Sequence, residues 1–338
     1  MRQQTTLLGK SRQDAAGLTG VENAFALNDA SGVSAALDRL FGSFSSWSVA
    51  PNNVAARDNV LSAAANAAQS FQRTAVTLSA TTTQAEQELA GTIAAINHLA
   101  GFVQRYNRDR AISVTTDAGA EAQIYETLER LSELSGVQAM KQDDVGITLL
   151  LGGQVPLVVG DSKYDISLNL GYLSSVPAVY SGASPTAYVF DSRGQDVSSY
   201  VSSGKLGSLL ELKNKTLPGL MGNATQQGSL NVLAQKVADR INQILASGYA
   251  PATPVFTYSG NAVSIAQSLS VDPAMTSSLL QAVEPGPPVV ANGKALALAA
   301  LANPATRPIN SGAPSCLVFR RAGCRNRPKP FGFQSGEG

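Results

Sequence analysis

From about Asn53 to about Tyr106 the apolar positions keep one rhythm. Val60, Ala64, Ala67, Phe71 and Leu78 are followed by Leu89, Ile93, Ile96, Ala100 and Val103. Steps of four and three residues mark the seam of a long helix packed along another helix. The stretch holds no proline, and its only glycines are Gly91 and Gly101. A helix of roughly 50 residues would be about 75 Å long. A rod of that length suits a filamentous or assembly protein better than a compact enzyme domain. The other faces carry Thr, Ser, Gln and Ala with few charges, which suits close packing against further protein.

The same rhythm predicts further helices. Val33, Leu37, Leu40, Phe44 and Trp47 form a stripe that Ser31 can cap and that Pro51 ends. Asn53 can cap the long helix, with Arg57 and Asp58 in its first turns, so the two helices read as a hairpin with facing seams. Residues 1–20 are polar and mixed, without a clear period. A third helix is expected from about Ala120 to Gly136, with Ile124, Leu128, Leu131 and Leu134 as its stripe and Glu126 one turn before Arg130. The texture then changes to short β-type runs. Ile147–Leu151 and Val155–Val159 flank Gly152-Gly153-Gln154, a hairpin signal. Tyr164, Ile166, Leu168 and Leu170 alternate with polar residues, as in a strand with one buried face. Val176–Tyr180 and Tyr188–Phe190 continue the pattern. Leu206, Leu209, Leu210 and Leu212 restore a helix that Leu217-Pro218-Gly219 is expected to break. Leu230, Leu233, Val237, Ile241 and Ile244 mark another helix, stopping near Gly248. Residues 251–290 read as loop with short strands, and Ala295–Leu301 as a short helix.

This order predicts an α+β multidomain chain: an elongated α-helical, coiled-coil-like domain with an inserted antiparallel β domain. The expected divisions are 1–136 for the first part of the rod, 137–200 for the β insertion, 201–250 for the returning helices, 251–303 for a loop region with a short helix, and 304–338 for a disordered tail.

Composition narrows the function. Of 338 residues, 44% are apolar and 14% charged, against about 25% charged in typical soluble proteins. A surface so poor in charge suits burial against neighbouring subunits. The net charge of +1 gives no global field to draw nucleic acid or anionic membrane. No apolar run is long enough to span a bilayer.

Candidate chemistry is sparse. His98 is the single histidine and stands beside Asn97 with no orienting acid, so it reads as a helix-surface or packing residue. Cys316 and Cys324 are eight apart without a second pair, which argues against zinc. Asp143-Asp144 lacks the alternating oxygen ligands of a calcium loop and reads as a turn. Gly152-Gly153 and the Gly160-Asp161-Ser162-Lys163 stretch are turns and not a phosphate-binding loop. No catalytic, cofactor-binding or metal-binding residue is expected, and the enzyme class is set aside for want of paired carboxylates or a nucleophile with a base.

Several of these stretches, in order, resemble the flagellar hook-associated protein 1 family. Phe41, Phe44, Pro51, Ala56-Arg57, Val60-Leu61 and Phe71 follow the family's short helix, proline and long-helix start. Ala95-Ile96-Asn97 matches its long-helix motif, and Gly146–Gly160 its hairpin. Gly204–Leu212 with Leu217-Pro218-Gly219, then Leu233-Ala234 through Arg240-Ile241-Asn242, match its returning helices. Val271-Asp272-Pro273 and Asn292–Leu301 complete a set covering about 20–303. The resemblance implies a structural, non-enzymatic subunit of the bacterial flagellum at the junction of hook and filament. It would be exported to the cell exterior, packing with copies of itself, with the hook protein and with the second junction protein. A cytoplasmic export chaperone is the further implied partner; nucleic acid and membrane insertion are not. Two departures stand out. The third helix reads Ile124-Tyr125-Glu126 where the family has another wording, and the family's paired terminal helices have no counterpart, so the sequence reads as truncated at both ends with weakened chaperone binding. The tail holds both cysteines, and Arg320, Arg321, Arg325, Arg327 and Lys329 fall within ten residues. It reads as an out-of-frame or fused terminus, with a basic arm as the alternative. A non-flagellar coiled-coil adaptor or ligand-sensing module is the other reading, which a concave pocket in the β domain would favour.

Overall fold

The computed structural model describes residues 2–25, 32–112, 118–142, 146–171, 180–247 and 253–302. The Val33–Val49 and Val54–Ile112 helices, α2 and α3, form the expected hairpin. At 59 residues α3 is about 88 Å long, and it extends six residues beyond the sequence expectation. Every seam residue named above, from Val60 to Val103, is buried. Asn53 caps α3 as expected, its Oδ1 accepting from the Ala56 N–H at 3.3 Å. The cap of α2 is a correction: Gly32 occupies that position, with no side-chain bond, and Ser31 lies outside the described residues.

A second correction concerns the N-terminus. Residues Arg2–Phe25 form a helix, α1, against α3, α4 (Ala118–Leu134) and α5 (Gly204–Glu211). Its buried positions are Gly9, Gly17 and Ala24, while Leu7, Leu8 and Leu18 face outward. A contact line of glycines lets backbones meet closely: a Cβ on Gly9 would collide with the Glu133 carbonyl oxygen. Such a line is invisible to a search for large apolar side chains.

The chain then enters its β layer. Strands β1 (Val137–Gln142), β2 (Gly146–Leu151), β3 (Val155–Val159) and β4 (Ser162–Lys163) make an antiparallel sheet in sequential order. The β2–β3 hairpin stands as expected. Gly152 and Gly153 have φ of +57° and +75°, a pair of values that favours glycine and turns the chain with the hand of the strands. A register shift between Leu149 and Leu150 adds a bulge to the pairing. Strands β5 (Ser167–Gly171) and β6 (Thr186–Phe190) form a separate antiparallel pair. Along β5 the predicted buried face is only partly realised: Ile166 is buried just before the strand, Leu168 is half-buried and Leu170 is exposed. Of the expected strand Val176–Tyr180, all but Tyr180 lies outside the described residues.

The returning helix corrects a third expectation. It does not break at Leu217-Pro218-Gly219. α5 passes through a π-helical turn, Leu212–Thr216, into α6, Leu217–Met221. Pro218 sits in the first turn of α6, where a proline's missing N–H costs little. The chain turns after Gly222. Helix α7 spans Ser229–Ala246; its seam runs through Leu230, Ala234, Ala238 and Ile241, while Leu233 is half exposed. Short elements follow: β7 (Phe256–Thr257), α8 (Ile265–Ser268), β8 (Ser270–Val271) and α9 (Gly293–Ala299).

Two apolar cores result. One joins α2, α7, α9 and the 255–282 loops to α3 between Val60 and Leu78. The other joins α4, α5 and the β layer to α3 between Leu89 and Val103. The proposed tail, 304–338, with Cys316, Cys324 and the arginines, lies outside the described residues, as do Asp143, Asp144 and Gly248.

Candidate functional site

Five asparagines fix the loops and strands to the helices. A carboxamide carries one donor and one acceptor group, so it can pair with backbone as another peptide unit would. Asn107 is buried: its Oδ1 accepts from the Ile147 N–H at 2.8 Å, and its Nδ2 donates to the carbonyls of Ile147 at 2.8 Å and Gly160 at 2.7 Å. Three turns earlier on α3, Asn97 pairs with Ile166 in both directions, at 3.0 and 2.8 Å. Asn214 does the same for Ala187, at 2.9 and 2.8 Å. Asn231 holds the carbonyls of Met221, Gln227 and Val263 and the Ala266 N–H. Asn242 accepts from the N–H groups of Val255 and Phe256 and donates to the Phe256 carbonyl. Asn97 and Asn242 lie in two motifs of the resemblance; Asn107, Asn214 and Asn231 were missed, because a lone asparagine in a helical pattern gives no signal of its own.

Between the two cores α3 has a polar waist. Lys213, 1% exposed and inside the π turn, forms an ion pair with Glu86 at 2.8 Å and donates to Ser184 Oγ at 2.6 Å. A serine beside a lysine invites comparison with a nucleophile and its base. The Glu86 carboxylate on the same ammonium makes Lys213 a donor to both partners, a structural tie. On the other side, α1 meets α5 through Lys10, which contacts Asp14 at 3.5 Å and Glu211 at 3.0 Å, and through a hydrogen bond from Ser208 to Asp14. Burial pulls the Lys10 ammonium down, but its bond to Glu211 and the charges of Asp14 and Glu211 outweigh that and raise its pKa.

Two interhelical clefts flank the waist. One, of about 450 Å³, lies among α1, α3, α4 and α5 and includes Arg12, His98, Arg130, Glu133 and Lys205. The other, of about 430 Å³, is lined by Thr82, Glu86, Ser184, Lys213 and Leu217. His98 is exposed, with its ring edge-on to Phe102 at 4.9 Å between centroids. Glu126 and Arg130 do not close an ion pair; Arg130 turns to the first cleft instead. Beside the four-stranded sheet, the space among Tyr106, Ile124, Leu128 and Ile147 holds only about 50 Å³. Among the described residues no three His, Cys, Asp or Glu side chains are placed to hold a metal ion, and no helix is long and apolar enough to cross a membrane.

A long uncommitted surface is the outer face of α3. Ala55, Asn59, Ser62, Asn66, Gln69, Arg73, Val76, Ala80, Thr83, Gln87, Ala90 and Ala94 are all exposed and follow one another in steps of four and three. Among the exposed α3 positions from Val54 to Ala94, only Asp58 and Arg73 are charged. It is a second helical seam, mostly small or uncharged polar with Arg73 as its one charge, turned away from the molecule's own cores.

The family model of the flagellar hook-associated protein FlgK helical domain matches residues 18–253. Among solved structures, the flagellar hook junction protein FlgK from Burkholderia pseudomallei is similar, with a TM-score of 0.62 at 19% sequence identity. That likeness covers 77% of this chain and 47% of the Burkholderia one, so the chain spans about half the length of that relative, and at this identity it speaks for the fold. No curated protein sequence matches the chain. With more than half of its length under the family model, and with the rod, hairpin and sheet in place, the chain belongs to the flagellar hook-associated protein FlgK helical-domain family.

Proposed function

We propose that this chain is a structural subunit of the bacterial flagellum at the hook–filament junction, acting by packing and without catalysis. The observation that carries the reading is the outer face of α3. Charged side chains lose hydration when they are buried between subunits; Ala, Ser, Thr and Gln lose far less. A seam at coiled-coil spacing with Arg73 as its one charge in twelve positions is therefore suited to lie along a neighbouring copy or along an adjoining flagellar protein. Head-to-tail contacts of this kind build rings or helical arrays. The partners we infer are further copies of the chain, the hook protein, the second junction protein and an export chaperone. The place of action is the flagellum outside the cell.

The functional division we infer is a rod, 1–136 and 201–250, that carries the packing faces, and a β insertion, 137–200, that widens one side of it. The 251–303 region stiffens the far core through Gln72, whose Nε2 donates to the Leu269 carbonyl at 2.7 Å.

The test is decoration of isolated flagellar hooks by the labelled full chain, read by electron microscopy. Label at hook ends is the expected result. Ala80→Lys with Ala90→Lys, both exposed on α3, should abolish it while the circular-dichroism spectrum and melting curve stay as before. Hooks that bind neither form, or bind both equally, sink the reading.

A further inference from the structure

The cleft among α1, α3, α4 and α5 has an unbalanced charge. Arg12 is paired with Glu133 at 3.1 Å. Lys205 reaches Glu88 at 3.5 Å, and Glu88 also accepts from Gln13 at 3.1 Å. Those two cations are matched by two carboxylates. Arg130, exposed on α4, has neither an ion pair nor a side-chain hydrogen bond among the described residues, and it lines the cleft. The apolar part of the lining is Gly9, Ala95, Leu99 and Leu134, and His98 stands among them. The volume, about 450 Å³, lies in the range of small-ligand sites.

We infer that this cleft binds a single carboxylate carried on a short apolar stem, with the Arg130 guanidinium as its anchor. A guanidinium matches a carboxylate in a two-bond fork. One unmatched cation suits one negative charge; a phosphate dianion would bring its second charge against Glu133 and Glu88. The stem would lie along Ala95, Leu99 and Leu134, which gives specificity for an acid with an apolar body over a bare ion. The C-terminal residue of a peptide and a free small organic acid share this chemistry. The inference is independent of the flagellar reading, since it concerns a cleft off the outer face of α3.

His98 supplies the readout. It is the chain's single histidine, so histidine-labelled full-length protein gives one imidazole signal, from inside the cleft. The probes are N-acetyl-Ala-Leu as free acid, the same peptide as C-terminal amide, and 4-methylpentanoate, all at one fixed pH. Both acids should shift the His98 signal saturably and the amide should not. The tighter of the two acids then identifies the source. Arg130→Gln should weaken binding roughly tenfold. Glu133→Gln, which frees Arg12, should tighten it severalfold, and Arg240→Gln on α7 should change nothing. The inference is overturned by no shift at about 10 mM acid, by an amide that binds as well as the acid, or by unchanged affinity in Arg130→Gln.

Discussion

Replacing Asn107 with alanine should loosen the β layer from the long helix. Three hydrogen bonds of 2.7–2.8 Å are lost together. At about 1 kcal/mol net each, their loss costs about 3 kcal/mol. Asn107 is 5% exposed and Ile147 also 5%, so water enters poorly, and unpaired backbone groups left behind add a further 1–2 kcal/mol or so. The total is roughly 4–5 kcal/mol, a large share of the 5–15 kcal/mol that typically holds a domain together. Asn97 makes two such bonds at a half-buried site; there water can take the vacated positions, and Asn97→Ala should cost about 1–2 kcal/mol. Asn107→Asp should be at least as damaging as alanine, because a carboxylate oxygen would face the carbonyls of Ile147 and Gly160. Urea unfolding gives the totals, and amide exchange at Ile147 localises them. The reasoning fails if Asn107→Ala costs under about 1 kcal/mol, if it costs less than Asn97→Ala, or if Ile147 exchange is unaltered.

Three further outcomes follow from the packing and the charges. Gly9→Val should lower stability by about 1–3 kcal/mol, because the new side chain meets the Glu133 backbone, while Gly42→Ala, which faces open space, should raise it by about 0.5–1 kcal/mol; urea midpoints of the two compare directly. Lys213→Met should cost about 1–3 kcal/mol by stranding the Glu86 carboxylate, and Lys213→Met with Glu86→Gln should recover part of that in a double-mutant cycle. Asp191 accepts from the Gln195 N–H above all, and from Arg193, which outweigh its burial and hold its pKa below the ordinary carboxylate value. A lowered carboxylate stabilises the fold above the unfolded-state pKa, near 4, and that contribution disappears as pH falls through the folded value. Asp191→Asn should therefore flatten the loss of stability between about pH 4 and pH 2; an unchanged acid slope in chemical denaturation would count against the turn.

The long helix, its partner and the β2–β3 hairpin were legible because their signals are local: a four–three rhythm in Val60–Val103, and paired glycines between two apolar runs. α1 was not legible, because its packing line is glycine and its leucines point outward. The continuation of α5 through the π turn was hidden for a related reason: Pro218 reads as a stop, and only the extra residue per turn shows that the chain absorbs it. The candidate site was hardly legible at all. Arg12, His98, Arg130 and Lys205 come from four helices, and nothing in their spacing says that they share a cleft. The outer seam of α3 could be suspected from its poverty in charge. Which of its faces looks outward was settled only by which residues the two cores bury.

The two cores share one helix, and that makes its length an angular setting. From Leu78, the last buried leucine of one core, to Leu89, the first of the other, are 11 residues. At 100° per residue that is about 20° past three full turns, so both cores meet α3 on nearly one bearing. Inserting a single residue at the waist would swing one core by about 100° against the other and advance it about 1.5 Å. Inserting seven would return the bearing to within about 20° at the expense of about 10 Å of added length. Evolution of this segment is thereby confined to steps of whole turns: its sequence is free to drift, its residue count is not.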